Sequence, residues 1–204
     1  MGLSKRDAPL PAHDRGRHAR GLRSGSGVIQ VRYAKNPQFL GASAQWLPTV
    51  WGDAVAIDLG QRGTLFAILK EGTDSRSSPE YILLRAFGFP HGAMPTPVEQ
   101  GIARIAALKG EVNLLPDELP MLVRFRDLAD PMTVERVDPR NLAASFGEGA
   151  GFAGARIEIT DDPVTRGIEK QLPWLPGLKG GYLNGGFTSI GAPLERHAGD
   201  FKRT

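Results

Sequence analysis

Residues 156–175, RIEITDDPVTRGIEKQLPWL, restrict the fold more than any other stretch of the chain. Ile157 and Ile159 alternate with Arg156, Glu158 and Thr160, the period of a strand with one buried face. Asp161-Asp162-Pro163 stops that strand, because proline has no amide to give to a ladder. Asp162 can cap, and Pro163 can open, a short helix that the spacing predicts over 163–171. Leu172, Trp174 and Leu175 follow as an apolar lid broken by Pro173 and Pro176. Such a run needs a sheet to lie on.

The other periodic stretches supply it. Ile29, Val31 and Tyr33 share one face and Gln30 and Arg32 the other, so 28–33 reads as a strand with one wet side. Residues 55–59 alternate with Asp58 outward, and 64–70 (TLFAILK) are apolar on both faces. The two read as a hairpin across Gly60-Gln61-Arg62-Gly63. Residues 81–87 (YILLRAF), 121–126 (MLVRFR, with Met121, Val123 and Phe125 inward) and 133–137 read as further strands. Neighbouring strands with short turns favour an antiparallel meander. The segment 38–52, with Trp46 and Trp51, reads as a long loop whose tryptophans either form a recognition surface or, the commoner case, pack over a sheet edge.

Two helices accompany the sheet. Thr96-Pro97-Val98-Glu99 is a capping box with proline at the first helical position. Val98, Ile102, Ile105 and Ala106 then fall on one face, and Gly110 stops the helix, predicting 97–109. Asp138-Pro139 predicts a shorter helix over 139–146 with Leu142 and Phe146. Asn184-Gly185 is a hairpin signal within a glycine-crowded region.

Charge is unevenly placed. Residues 1–35 hold eight Lys/Arg and two acids, and the remainder 17 bases and 20 acids, so the net +3 is a +6 terminus on a mildly acidic body. A nucleic-acid reading therefore rests on the terminus, notably Arg17-His18-Ala19-Arg20, where no aromatic residue is interleaved for base stacking. No specific nucleic-acid partner is expected. With no cysteine, disulfides, thiolate metal sites and cysteine nucleophiles are excluded. No run approaches the ~18 apolar residues of a membrane span, so no transmembrane segment lies in the chain as written.

Chemical motifs are sparse. Gly149-Ala150-Gly151-Phe152-Ala153-Gly154 matches G-x-G-x-x-G, but a dinucleotide site needs a strand before it and a helix after it, and here the order is reversed. His13, His18, His91 and His197 sit in no catalytic frame. Glu158, Asp161 and Asp162 bring three carboxylates within five residues, a set that can hold a hard cation or divide into acid and base. The competing reading makes Glu158 part of a wet strand face and Asp162 a helix cap. Arg85, Arg124, Arg126 and Arg156 can line one wet face of the sheet and meet acids or an anionic partner there.

The stretches GLRSGSGVIQV at 21–31, GDAVAIDLG at 52–60, TDDPVT at 160–165, GIEK at 167–170 and LPWL at 172–175 resemble a group of uncharacterised bacterial proteins of proteobacterial type. The likeness runs from about Gly21 to the C-terminus and carries over no catalytic or binding residue. It implies an N-terminal apolar anchor or export signal, then a strand running into the Gly21 motif, and hence a periplasmic or membrane-anchored protein. This chain departs there, since residues 1–20 are basic and no export signal is present as written. The departure leads to the expectation of a misassigned start that replaces an anchor and a first strand.

The sequence thus predicts an α+β protein. Residues 1–20 are a disordered basic tail, 21–192 one domain, and 193–204 a frayed C-terminus. The domain has a mostly antiparallel sheet of six to eight strands, one amphipathic helix packed on it, and short additional helices. No catalytic, cofactor-binding or metal-ligating set is assigned. The expected function is that of a non-enzymatic bacterial envelope or accessory domain acting on a protein partner or envelope component. The alternative is a hydrolase or metal-dependent enzyme using Glu158, Asp161 and Asp162.

Overall fold

A computed structural model describes residues 2–4, 21–36, 46–72, 78–178 and 198–204. Its strands are β1 (Gly2–Ser4), β2 (Ile29–Lys35), β3 (Trp46–Asp53), β4 (Val55–Asp58), β5 (Thr64–Ala67), β6 (Glu111–Leu114), β7 (Leu122–Phe125), β8 (Val134–Val137), β9 (Ala155–Thr160) and β10 (Lys202–Arg203). Its α-helices are α1 (Pro79–Ala86), α2 (Val98–Ala106), α3 (Leu142–Phe146) and α4 (Ala198–Phe201). Every strand pairing is antiparallel, as the α+β reading requires.

The strands form two sheets rather than one, ordered β10-β3-β2-β1-β9-β6 and β4-β5-β7-β8. The chain changes sheet at Ala54, between β3 and β4. Gly52 prepares this corner with φ +142°, and a side chain there would press within 3.2 Å of the Ile29 Cα. The β4–β5 hairpin forms where the sequence places it. Asp58 Oδ1 accepts the Gly60 amide at 2.7 Å, and Asp58 itself is exposed.

One face of the six-stranded sheet carries Val31, Tyr33, Val50 and Ile157 into a core shared with α1 and α2. The smaller sheet is apolar on both faces. Phe66, Val123 and Phe125 face Ile168, Leu172 and Phe201, while Leu65, Leu122 and Val137 face Leu142 and Phe146 of α3. Each such side chain, fully buried, contributes about 1.5–3 kcal/mol against exposure.

Several elements differ from their sequence expectation. Of residues 81–87, all but the C-cap Phe87 lie in helix α1, not in a strand. Ser78 is extended before the helix and Pro79 occupies its first turn, the local signal that starts it, and the burial of Ile82, Leu83 and Leu84 is that of a helix covered on a wide face. Trp46 and Trp51 lie in β3, not in a loop, because residues 46–51 pair with β2. Residues 37–45 lie outside the described residues, as does the Asn184-Gly185 turn. Helix α2 is shorter than expected and has no side-chain cap; Glu99 pairs with Lys35 instead, and Ala106 is exposed. Helix α3 starts at Leu142 because Asn141 Oδ1 accepts the Ala144 amide, while Asp138 closes the preceding turn on the Arg140 amide. Strand β6 was not anticipated. Val112 and Leu114 alternate with exposed Glu111 and Asn113, but the run is only four residues long, and among the described residues it pairs with β9 alone at the edge of the sheet.

Both termini also differ. Gly2–Ser4 takes the slot between β2 and β9, so these residues of the expected tail are a strand; residues 5–20 lie outside the described residues. Residues 198–204 are docked rather than frayed, because Phe201 is wholly buried and β10 pairs with β3.

Candidate functional site

The segment after β9 crosses the junction of the two sheets as a strap. The helix expected over 163–171 is confined to one tight turn, Ile168–Lys170. Two pairings hold the preceding residues irregular. Thr165 Oγ1 accepts the Val28 amide at 2.8 Å, and the Thr165 amide donates to the Val28 carbonyl at 3.0 Å. Gly167, at φ +109°, then redirects the chain.

Asp53 lies beneath this strap at 1% exposure. Its Oδ2 accepts the Ile168 amide at 3.0 Å. Its Oδ1 has no hydrogen-bond partner among the described residues and lies 3.9 Å from Arg166 Nη1. Arg166 spends its guanidinium on the Arg203 carbonyl at 2.7 Å. Next along the strap, Glu169 Oε1 pairs with Lys202 Nζ at 2.9 Å. The hydrogen bond from Glu169's own amide, and then Lys202, hold that carboxyl below the usual carboxylate range. A pocket of about 270 Å³ opens beside the pair, lined by Glu169, Leu175, Pro176, Gly199, Lys202 and Thr204.

Three of the stretches singled out in the sequence therefore meet at one seam. A Cβ on Gly25 would sit 2.4 Å from the Ala56 carbonyl, so the glycine run at 24–27 lies against β4 with no room for a side chain. Gly27 abuts Val55 and Thr165. Asp53 opens the run into β4, and Ile168 belongs to the strap. Sequence reasoning placed the strap but missed Asp53 and Phe201. The signal for Asp53 was present: it is the one acid in the otherwise apolar run 50–57.

A second feature lies at the β7–β8 turn. Asp127 Oδ1 accepts the Ala129 amide and Asp130 Oδ1 the Met132 amide, both at 2.8 Å. Thr133 Oγ1 accepts the Asp127 amide and has its one proton within reach of both the Asp127 and Asp130 carbonyls. Trp174 Nε1 donates to the Leu128 carbonyl at 2.8 Å, fastening the lid to this tip. Leu128 and Met132 stay exposed, at 37% and 53%. Trp174 rests its rings on Phe125 and Phe201, at 5.4 and 6.1 Å between centroids.

The carboxylates of the sequence analysis sit elsewhere. Glu158 is half-buried in β9, opposite Glu111 of β6, while Asp161 and Asp162 are exposed beyond the strand end. Among the described residues, no three His, Asp or Glu side chains gather as metal ligands. The four arginines do not share a face. Arg85, on α1, pairs with Glu118; Arg124 and Arg126, in and after β7, pair with Glu135; Arg156, in β9, pairs with Glu111. The glycine run at 149–154 follows α3 and precedes β9. His13, His18 and His197, and the side chain of His91, lie outside the described residues. No described helix is long and apolar enough to cross a membrane. Scans against protein-family models, curated proteins and solved structures find no match to the chain.

Proposed function

We propose that this chain is a non-enzymatic accessory domain of a bacterial envelope that binds a partner protein through the β7–β8 tip. The observation that carries this reading is the tip itself: a loop tied internally by Asp127, Asp130 and Thr133 holds Leu128 and Met132 exposed, with Trp174 bonded to the Leu128 carbonyl. A loop already ordered by its own hydrogen bonds loses little entropy on association. Tryptophan and methionine are both enriched at protein interfaces. The envelope assignment comes from the resemblance at 21–31, 52–60 and 160–175.

The test places a photo-crosslinking amino acid at Met132, and separately at exposed Lys109, in cells of the native host. Met132 is expected to give one discrete protein adduct in the envelope fraction, and Leu128→Asp to weaken it at least about tenfold. Leu128 is partly solvated, so the variant is expected to melt with the wild type. Equal adducts from Met132 and Lys109, or none from Met132, would refute the proposal.

A further inference from the structure

Residues 198–204 are held as a bound peptide would be. The Ala54 amide donates to the Phe201 carbonyl at 2.7 Å and the Leu69 amide to the Asp200 carbonyl at 2.6 Å. Strand β10 extends the six-stranded sheet, with Lys202 opposite Asp53 and Arg203 opposite Gly52. Phe201 fills a socket against Phe125 and Trp174 and is fully buried. Charges flank the socket in order. Lys70 Nζ lies 3.7 Å from Asp200 Oδ2 before the ring, and Glu169 meets Lys202 after it. Arg203 Nη2 donates to the Leu69 carbonyl at 2.7 Å, and Arg166 Nη1 to the Arg203 carbonyl.

We propose that this slot is a peptide-binding groove, filled in cis by 198–204, which a partner's extended segment enters by displacing it. Main-chain pairing along a sheet edge supplies affinity for any extended peptide, and the socket with its flanking charges supplies selection. The partner segment carries an acid, then a buried aromatic, then a base. A segment with these charges exchanged would set a base against Lys70 and an acid against Glu169, which disfavours it. The segment already in place lowers apparent affinity by the fraction of time the groove is vacant. The inference rests on the interaction reading only through Trp174, and its test leaves the tip at Leu128 and Met132 intact.

The test measures fluorescence anisotropy of dye-labelled AGDFKRT, AGDAKRT and the charge-exchanged AGKFDRT against the full-length wild type and Phe201→Ala. The variant, whose own segment has lost its anchor, is expected to bind AGDFKRT at least about tenfold more tightly than the wild type does, and more tightly than it binds either control. A folded variant that binds all three peptides alike, or none, would overturn the proposal. Should Phe201→Ala not fold, hydrogen exchange of the Ala54 and Leu69 amides in the wild type decides. Excess AGDFKRT, and not AGDAKRT, is expected to slow both; unchanged rates would overturn the groove.

Discussion

Replacing Asp53 separates two accounts of why a carboxylate is buried at the seam. In the first, it acts as an acceptor. Its Oδ2 takes the Ile168 amide at 3.0 Å in a region closed to water. A hydrogen bond to a charged acceptor contributes about 1.5–3 kcal/mol, and an amide left buried without one costs a comparable amount. In the second, Asp53 acts through charge, paired with Arg166. That pair is 3.9 Å apart and the arginine is 41% exposed, so solvent screening leaves it at most about 1 kcal/mol. The acceptor account therefore wins on magnitude. Oδ1 has no hydrogen-bond partner among the described residues, and removing it from its buried position offsets part of the loss, so Asp53→Ala is expected to destabilise by about 2 kcal/mol. For a chain of this size that lowers Tm by roughly 4–8 °C. Asp53→Asn keeps an oxygen for the Ile168 amide and sheds the charge, and it is expected to lose less than about 1 kcal/mol. Thermal melts followed by far-UV circular dichroism distinguish the accounts. An Asn variant that falls as far as Ala, or an Ala variant within about 1 °C of wild type, would refute the reasoning.

Two further outcomes are expected. Gly25→Ala would press a methyl to 2.4 Å from the Ala56 carbonyl and 2.8 Å from Ile57 Cγ1, so it should cost about 1–3 kcal/mol, whereas Gly151→Ala meets nothing within 4 Å and should stay within about 0.5 kcal/mol of wild type. Equal melting temperatures for the two variants would show that the strap-side seam is not close-packed. Burial, and then the charges of Glu80 and Tyr81, hold the Tyr33 phenol well above its ordinary value, while its hydroxyl donates to the Glu80 carbonyl. A phenol raised in the folded state contributes stability that is complete below its unfolded value of 10.0 and is lost as pH rises beyond it. In urea titrations on either side of that pH, Tyr33→Phe should therefore lose less stability than wild type; parallel losses would contradict the assignment.

Where burial follows an alternating face, the sequence was readable. Strand β9, the β4–β5 hairpin and the inward set Met121, Val123 and Phe125 stand where the period put them. It misled at 81–87, because three adjacent buried residues fit a helix covered on its wide face as well as a central strand. The deciding signal was local, in Ser78 and Pro79 before the run. The same kind of signal misled at 163–171, where Asp162-Pro163 announces a helix start that Thr165's bonds to Val28 override. A cap and a first-turn proline are worth about 1 kcal/mol, less than two hydrogen bonds made across 137 residues of sequence on a partly buried strap.

That difference of range also explains why the seam itself could not be read. Period reports which face of one element is buried and says nothing of what lies against it. Asp53 has meaning only through Ile168, 115 positions away, and Phe201 only through Phe125 and Trp174. Its short sequence context, Ala198-Gly199-Asp200-Phe201-Lys202-Arg203-Thr204, has the polarity of a terminus that should fray. It docks because β3 and Leu69 present free main-chain groups and because the socket, with Lys70 and Glu169 on either side, accepts a ring between an acid and a base. A segment whose order is imposed so largely by its acceptor, and so little by its own pattern, is related to the fold as a ligand is to its site. The seam thus joins the two sheets and reads a short sequence by the same contacts, so a partner able to displace 198–204 would act on the junction that Asp53 and the strap hold closed.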